Sequence, residues 1–315
     1  MIDIQTIQAA AAAIRPYIYY TPLRPSFYFS EISGFDVYMK LECWQPTGSF
    51  KIRGALNCIH SFSPRERLQG VVAWSAGNHG LGVAFAASIF EIPATIFVPR
   101  NTPQAKIRKF KYYPVELRSA ETYDDCEREG RLFAEKEGTL IVHPYDDWRT
   151  VAGQGTVGIE LCEAMPELDA IVVPVGGGGL ISGIAIAAKS MDPDIKIIAV
   201  QSAASPSLKK SLDDDHCYEQ FPVEHMIAEG IEGGIGKIVF DLAPKCIDEI
   251  IHIEQETMLE TVGALLRNEQ IVAETSAAVS LAALEKIESV PRGSRVATVL
   301  TGGNLDMRLL ANILR

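Results

Sequence analysis

Residues 171–183 read IVVPVGGGGLISG, and this stretch decides the fold that the sequence predicts. The apolar run from Ile171 to Val175 has the length of a buried β-strand, and four consecutive glycines follow it directly. The helix predicted after the glycines has its positive end beside their bare N–H groups, and the two together suit a terminal phosphate. Because the stretch is neither a G-x-G-x-x-G pattern nor a P-loop, a small phosphorylated cofactor fits it better than a nucleotide.

The same alternation of short β-branched runs and longer helical patterns recurs along the chain. A first short helix is predicted from Ile4 to Ile14, because Pro16 stops the helical pattern there. Repetition of strand, turn and helix is typical of parallel sheets covered by helices, which bind ligands beyond the carboxyl ends of their strands. The other runs of strand length are Val71–Trp74, Ala94–Val98, Ile195–Val200 and Val296–Leu300.

Residues 46–54, PTGSFKIRG, surround Lys51, a candidate reactive lysine. A lysine amine next to small residues and an aromatic ring is able to form a Schiff base with a carbonyl cofactor if it loses its proton. Taken alone, Lys51 is better explained as an ordinary solvated surface charge, because lysine is seldom buried.

Two further motifs follow predicted strands. Residues 75–80, SAGNHG, offer backbone N–H groups and a hydroxyl at a strand-to-helix junction, where a substrate carboxylate is the obvious anion, although a capped turn has the same composition. Residues 301–304, TGGN, offer a hydroxyl beside two glycines. A hydroxyl that faces a pyridine nitrogen does not hold that nitrogen protonated, so prompt loss of a β-leaving group is favoured over transamination.

Together the four motifs resemble the threonine/serine dehydratase and serine racemase family of fold-type II pyridoxal-phosphate enzymes. The resemblance includes HPYD at 143–146 and AGQGT at 152–156, and it covers nearly the whole chain in the same order. It implies an α/β fold like that of the tryptophan synthase β subunit, with two domains that are each an open, mostly parallel sheet flanked by helices. A large domain of residues 1–53 and 148–315 would enclose the cofactor against a small inserted domain of residues 54–147, which carries the substrate-carboxylate loop.

The resemblance implies a cofactor and a role for each matched residue. Lys51 would form a Schiff base with pyridoxal 5′-phosphate (PLP), with Phe50 against one face of the ring, and would then act as the base at Cα. Asn78 would bond the phenolic oxygen and Thr301 would face the pyridine nitrogen. The phosphate would be held by Gly176, Gly177, Gly178 and Gly179.

The resemblance also implies the reaction. A small β-hydroxy-α-amino acid such as L-threonine or L-serine would lose its hydroxyl group, and hydrolysis would release a 2-oxo acid and ammonia. The substrate carboxylate would bind at Ser75, Gly77, Asn78 and His79.

Several positions depart from the family pattern. Ala76 stands where the racemases have a second serine that carries a proton, so elimination is favoured over racemisation. At the family's divalent-cation site the chain has neutral residues, Gln201, Ser205 and Ser207, so we expect no metal there, although backbone carbonyls remain available to a monovalent ion. The motifs at 228–230 (AEG) and 274–277 (ETSA) also differ, which is consistent with another substrate. The length leaves no room for the regulatory domain of biosynthetic threonine dehydratases.

Composition narrows the cellular context. The formal net charge of −11 disfavours nucleic acid and anionic membrane as partners, and the basic run Lys106–Lys111 is expected to be a solvated helix face. The six cysteines form no C-x-x-C pair, and the N-terminus does not resemble a signal peptide. With no apolar run near the roughly 18 to 20 residues that span a bilayer, we expect a cytoplasmic protein. The polar stretch Ser211–Glu224 is expected to be an exposed loop.

Three alternatives to the dehydratase remain. The nearest is a serine or hydroxyaspartate racemase of the same family, which Ala76 disfavours. A sulfhydrylase-like enzyme would typically carry a different lysine motif and a Thr-Ser-Gly-Asn-Thr-like loop. A catalytically silent PLP-binding protein would have no need for Lys51, Ser75, Asn78 and Thr301 together. The resemblance further implies a homodimer or homotetramer.

Overall fold

The computed structural model describes residues 2–223 and 226–313, so Met1, Glu224, His225, Leu314 and Arg315 lie outside the described residues. All five belong to the predicted large domain, and Glu224 is also the last residue of the predicted Ser211–Glu224 loop, so these parts of the two predictions lie outside the described residues. Ten strands are described: β1 Leu23–Pro25, β2 Asp36–Lys40, β3 Val71–Trp74, β4 Ala94–Pro99, β5 Glu116–Ala120, β6 Leu140–Ile141, β7 Ala170–Pro174, β8 Lys196–Ser202, β9 Glu249–Ile253 and β10 Arg295–Val299.

Helices occupy most of the connections between strands. In the described residues they are α1 Ile4–Ile14, α2 Phe27–Ser33, α3 Lys51–Ser61, α4 Pro64–Arg67, α5 Asn78–Ile89, α6 Gln104–Phe110, α7 Tyr123–Glu137, α8 Trp148–Ala164, α9 Gly179–Met191, α10 Ser207–Asp213, α11 Lys237–Cys246, α12 Gln255–Ala264, α13 Thr275–Ala282 and α14 Met307–Ile313. Short 3₁₀ segments are Arg15–Tyr17, Glu42–Trp44, Glu229–Ile231 and Leu284–Lys286, and Leu265–Glu269 is a π-helical turn.

The strands form two sheets flanked by helices, which confirms the predicted fold class. The larger sheet has the order β1-β2-β10-β7-β8-β9, and all its pairs are parallel except the antiparallel edge pair β1 and β2. The smaller sheet has the order β5-β4-β3-β6 and is entirely parallel. Its strands all come from residues 71–141, whereas the larger sheet uses strands before and after that segment.

Local patterns predicted element positions closely. The first helix begins and ends as predicted, and Pro16 lies in the 3₁₀ turn that follows it. The strand β3 also has its predicted bounds. One expectation needs correction: residues 211–213 are not part of a loop, because they complete helix α10, and the irregular stretch begins at Asp214.

Helix α3 is held against α8, and α8 against α9, by glycines that leave the backbones in close contact. A Cβ atom on Gly153 would lie 2.4 Å from the carbonyl oxygen of Arg53, and one on Gly183 would lie 2.5 Å from the carbonyl oxygen of Val151. Contacts this short admit only glycine. We call these three helices, with Gly153, Gly155 and Gly183 between them, the glycine seam.

A buried ionic cluster joins the end of β2 to α3 and α8. Arg53 binds Glu42 through Nε and Nη2, both at 2.7 Å, and Glu160 through Nη1 at 2.7 Å. Lys40 Nζ lies 2.6 Å from Glu160 Oε2. All four side chains are buried, and two positive and two negative charges balance. Charges this far from water persist because each one is paired and hydrogen-bonded. The cluster therefore fixes the start of α3, where Lys51 lies.

Candidate active site

Lys51 is the first residue of α3 and contacts the segment that follows β6 of the smaller sheet, and we call the junction of these two segments the cleft. Its Nζ donates a hydrogen bond to the carbonyl oxygen of Pro144 at 2.9 Å and lies 5.3 Å from the centre of the Phe50 ring. Burial lowers the pKa of Lys51 to about 8. About a tenth of this amine is then neutral at pH 7, against less than about a thousandth for an ordinary lysine. Lys51 can therefore attack a carbonyl group at physiological pH.

The glycine loop Gly176–Gly179 connects β7 to α9 and packs against Tyr145, which lies between β6 and α8. A Cβ atom on Gly177 would lie 2.3 Å from the Tyr145 ring, and Gly178 has a left-handed φ of 91°. No other residue type fits these two positions. The Ser182 hydroxyl, in the first turn of α9, is buried and has no hydrogen-bond partner within the described part of the chain. A helix N-terminus, bare N–H groups and an unsatisfied hydroxyl suit a phosphate group.

The loop Ser75–Gly77 leads from β3 into α5, which begins at Asn78. The Gly77 N–H donates to Ser75 Oγ at 3.2 Å. His79 is buried, and its Nε2 lies 2.8 Å from the carbonyl oxygen of Val142. Burial, together with the charge of Lys51, lowers the pKa of His79 to about 3, so the imidazole is neutral and Nε2 donates. His79 therefore offers an anion its backbone N–H rather than a charged ring.

Asn78 belongs to a hydrogen-bond network that sequence reasoning did not identify. Its Nδ2 donates to both carboxylate oxygens of Glu274 at 3.0 Å, and its Oδ1 accepts from Asn304 Nδ2 at 2.6 Å. The backbone N–H of Asn304 also donates to Glu274 Oε1, at 2.7 Å. Burial raises the pKa of Glu274, and these donors oppose that shift.

Thr301 follows β10 and is buried beside the lysine segment. The Phe50 N–H donates to the Thr301 carbonyl oxygen at 3.0 Å, and Ser49 forms an isolated β-bridge with Gly302. A Cβ atom on Gly302 would lie 2.7 Å from Glu274 Oε1 and 3.1 Å from Asn78 Nδ2, so the glycine leaves room for both side chains. The motifs around Lys51, Asn78 and Thr301 are thus in direct contact. The glycine loop joins them through Tyr145, the neighbour of Pro144.

The basic run Lys106–Lys111 corrects a further expectation. It lies mostly on helix α6, as predicted, but it is not simply a solvated face. Lys109 is partly buried and its Nζ donates to Asn304 Oδ1 at 2.6 Å, while Lys106 pairs with Glu229. Neither contact has a local sequence signal, because 195 residues separate Lys109 from Asn304.

At the positions of the family's cation site, Gln201 bonds to Ser207, and Ser205 exchanges hydrogen bonds with the backbone of Gly233. Gln201 Nε2 donates to Ser207 Oγ at 3.3 Å, and Gln201 Oε1 accepts from the Leu208 N–H at 3.0 Å. Across residues 2–223 and 226–313, no group of three or more His, Cys, Asp and Glu side chains is arranged to hold a metal ion. In the same residues, no helix is both long and apolar enough to cross a membrane.

The Lys51 amine, the glycine loop with Ser182, and the Asn78 amide have the chemistry to bind an aldehyde, a phosphate and a ring oxygen, respectively. PLP carries these three groups, so the site fits the class of PLP enzymes. The model of the family described as "Pyridoxal-phosphate dependent enzyme" matches residues 14–302. The chain belongs to this family and uses PLP as its cofactor, which confirms the resemblance found in the sequence.

Individual relatives are similar over nearly the whole of this chain. The chain is 40% identical to an L-threonine ammonia-lyase of Thermotoga maritima, over 100% of this chain and 78% of the relative. It is 34% identical to a serine racemase of Oryza sativa subsp. indica, over 98% and 92% of the two chains. The solved structure of maize serine racemase superimposes with a TM-score of 0.93 at 32% identity, covering 99% of this chain and 96% of that one.

Proposed function

We propose that this protein is a PLP-dependent ammonia-lyase that converts a small β-hydroxy-α-amino acid, such as L-threonine or L-serine, to a 2-oxo acid and ammonia. The observation that carries the proposal is the partly neutral amine of Lys51 on the Pro144 carbonyl, next to the Tyr145 ring that packs on the glycine loop, while Ala76 in the carboxylate loop offers only a methyl group. The similarity to an L-threonine ammonia-lyase across the whole of this chain supports the same reaction.

In this proposal five parts of the cleft bind the cofactor. Lys51 holds the cofactor through Nζ, and Phe50 packs beside the ring. The N–H groups of Gly176–Gly179 bind the phosphate. Asn78 donates to the ring oxygen, and the Thr301 hydroxyl faces the ring nitrogen. Bound PLP supplies an electron sink for the α-carbon.

The substrate is bound and deprotonated by the chain itself. The N–H groups of Gly77, Asn78 and His79, with the Ser75 hydroxyl, receive the carboxylate at the start of α5. The Lys51 amine, once released, takes the Cα proton, for which a pKa near 8 suits a general base. The His79 ring, whose pKa is lowered to about 3, does not compete with Lys51 for this proton. Movement of the two sheets toward each other would exclude water from the cleft.

A serine racemase is the second candidate, and the similarity to the rice and maize racemases supports it. Racemisation needs a proton donor on the face of the ring opposite Lys51. The Ala76 methyl group has no exchangeable proton, so this candidate ranks below the lyase. A silent PLP-binding protein is a third reading, for which Lys51, Ser75, Asn78 and Thr301 would all be superfluous.

We further propose the domain division, assembly and location of the protein. A large domain of residues 1–53 and 148–315 and a small domain of residues 54–147 are supported by the segregation of strands 71–141 into one sheet. The family resemblance of the sequence motifs implies a homodimer or homotetramer, which sedimentation would distinguish. A cytoplasmic location is supported by cysteines that are all free thiols in the structure.

The test combines a spectrum with product analysis. Purified wild-type protein should show a visible absorption band of bound cofactor that disappears in Lys51→Ala. L-threonine, L-serine, their D-forms and 3-hydroxyaspartate are then offered in turn, and 2-oxo acid and ammonia are measured together. Equal amounts of both products from one substrate establish the lyase. Inversion without ammonia establishes the racemase, and a normal band with neither product supports the silent protein.

A further inference from the structure

Lys109 reaches from helix α6 to the loop that follows β10, on the other side of the cleft. Its ammonium group donates to Asn304 Oδ1 at 2.6 Å, and the side chain is partly buried. Burial lowers the pKa of Lys109, whereas the nearby Glu274 carboxylate raises it. The contact therefore brings a cation from the smaller sheet's side to the edge of the active site.

The chemistry at both ends of Asn304 fixes how its amide is oriented. An ammonium group has only donors, so Asn304 must turn its oxygen toward Lys109. A carbonyl oxygen has only acceptor sites, and Asn304 Nδ2 lies 2.9 Å from the carbonyl oxygen of Thr47. The two contacts require the same orientation. Asn304 Nδ2 is consequently the group that faces Asn78.

The orientation of Asn304 then determines that of Asn78. Asn304 Nδ2 donates to Asn78 Oδ1 at 2.6 Å, which directs the Asn78 NH₂ group toward Glu274. Asn78 Nδ2 lies 3.0 Å from each carboxylate oxygen of Glu274, so one N–H shared between the two oxygens serves Glu274 and leaves the second N–H for a further acceptor. Reversal of Asn304 would put two donors face to face and would favour the opposite orientation of Asn78.

We propose that Lys109 is a positioning residue that acts through Asn304 to hold the Asn78 NH₂ group toward the phenolic oxygen of the cofactor. This inference rests on the proposed role of Asn78. The charge of Lys109 has a second effect in the same direction, because a nearby cation favours ionised Glu274. An ionised Glu274 only accepts hydrogen bonds, so it too requires the NH₂ group of Asn78 on its side.

Lys109 has a matched control in Lys106, which lies one turn earlier on α6. Lys106 also carries a positive charge across the cleft, where it pairs with Glu229. That contact includes neither asparagine. Loss of charge, or of a brace between the two sides of the cleft, would therefore affect Lys106→Met and Lys109→Met alike, whereas loss of amide orientation affects only Lys109→Met.

The experiment measures cofactor binding in place of turnover. Full-length wild type, Lys109→Met, Lys109→Arg, Lys106→Met and Asn78→Ala are freed of cofactor with hydroxylamine. Each is titrated with PLP and with 3-deoxypyridoxal 5′-phosphate, which lacks the phenolic oxygen, and tryptophan fluorescence is followed. We expect Lys109→Met to bind PLP about five- to tenfold more weakly than wild type and to bind the deoxy analogue within about twofold. Lys109→Arg, which keeps a donor-only cation, should restore most of the affinity.

Two results would overturn the inference: equal weakening for both ligands, or no weakening for either. Asn78→Ala separates this failure from failure of the proposed site. If Asn78→Ala discriminates between the ligands but Lys109→Met does not, Asn78 keeps its role and Lys109 loses its own. If Asn78→Ala does not discriminate, the assignment of Asn78 itself is wrong. Should Lys109→Met lose its native circular dichroism, Asn304→Ser interrupts the same chain and is judged by the same comparison.

Discussion

At the scale of single residues, the site depends on two groups whose pKa is lower than usual. Lys51 and His79 are both less basic than in water, because burial penalises their charged forms. The result is an amine that is available as a nucleophile and an imidazole that does not compete for protons. Both effects follow from burial, to which the charge of Lys51 adds at His79.

The lowered pKa of Lys51 predicts the pH dependence of cofactor attachment. Only the neutral amine attacks an aldehyde, so the rate should rise with pH through a midpoint near 8, the pKa of the folded, cofactor-free protein. Stopped-flow absorbance of cofactor-free protein mixed with PLP measures this rate. A midpoint above about pH 10, the value for an exposed lysine, would contradict the burial argument.

Ala76 predicts that one substitution adds a second reaction. Ala76→Ser supplies an exchangeable proton in the carboxylate loop, so serine racemisation should rise at least about tenfold while elimination continues. Chiral chromatography of serine after incubation measures the change. Ala76→Gly also alters the loop but adds no proton donor, and it should not raise racemisation. Failure of Ala76→Ser to invert serine would weaken the explanation of why this chain eliminates.

At the scale of secondary-structure elements, prediction from sequence succeeded where the pattern is local. Strands β3 and β7 are buried on both faces and appear as continuous apolar runs. Strand β5, with the sequence ELRSA, lies at the edge of its sheet with exposed polar side chains, so it has no apolar run to detect.

The site divides in the same way. Lys51 and the glycine loop lie in contiguous motifs and were identified as such. The contact between Asn78 and Glu274 spans 196 residues, and nothing in either local sequence indicates it. Lys109 was misinterpreted for the same reason, since a cationic helix face looks solvated until its partner across the cleft is known.

The glycine seam predicts a structural cost for a single methyl group. In Gly183→Ala the new Cβ would lie 2.5 Å from backbone atoms of α8, so α8 and α9 must separate. We expect a loss of about 1–3 kcal/mol in the free energy of unfolding, measured by urea denaturation. Ser190→Ala, at an exposed position of the same helix, adds no atoms and should change stability by less than about 0.5 kcal/mol. An equally small effect for Gly183→Ala would mean that the seam is loosely packed.

At the scale of the whole molecule, the buried ionic cluster connects segments that are distant in sequence. Lys40 ends strand β2 and Glu42 follows it, Arg53 lies on α3, and Glu160 lies on α8. The cluster holds β2, α3 and α8 together. Since α3 carries Lys51, it also fixes the position of the reactive amine.

Removal of Arg53 should therefore be severe. Arg53→Met keeps most of the side-chain volume but leaves Glu42 and Glu160 with only Lys40 to balance them. We expect a loss of about 3–5 kcal/mol in the free energy of unfolding, because uncompensated buried charge is costly. Urea denaturation again provides the measurement, with exposed Arg65→Met as the control. Equal stability of the two variants would show that the cluster adds little to the fold.

The strand order of the larger sheet has a consequence for synthesis on the ribosome. Strand β10 lies between β2 and β7, with Arg295 opposite Asp36 and Val296 opposite Ala170. During translation β2 has no parallel neighbour until residues 295–299 have left the exit tunnel, whereas the smaller sheet is complete once residue 141 has emerged. The facing edges of β2 and β7 therefore stay unpaired until almost the entire chain has been made. A transcript that ends before β10 yields a polypeptide in which no strand joins β2 to β7.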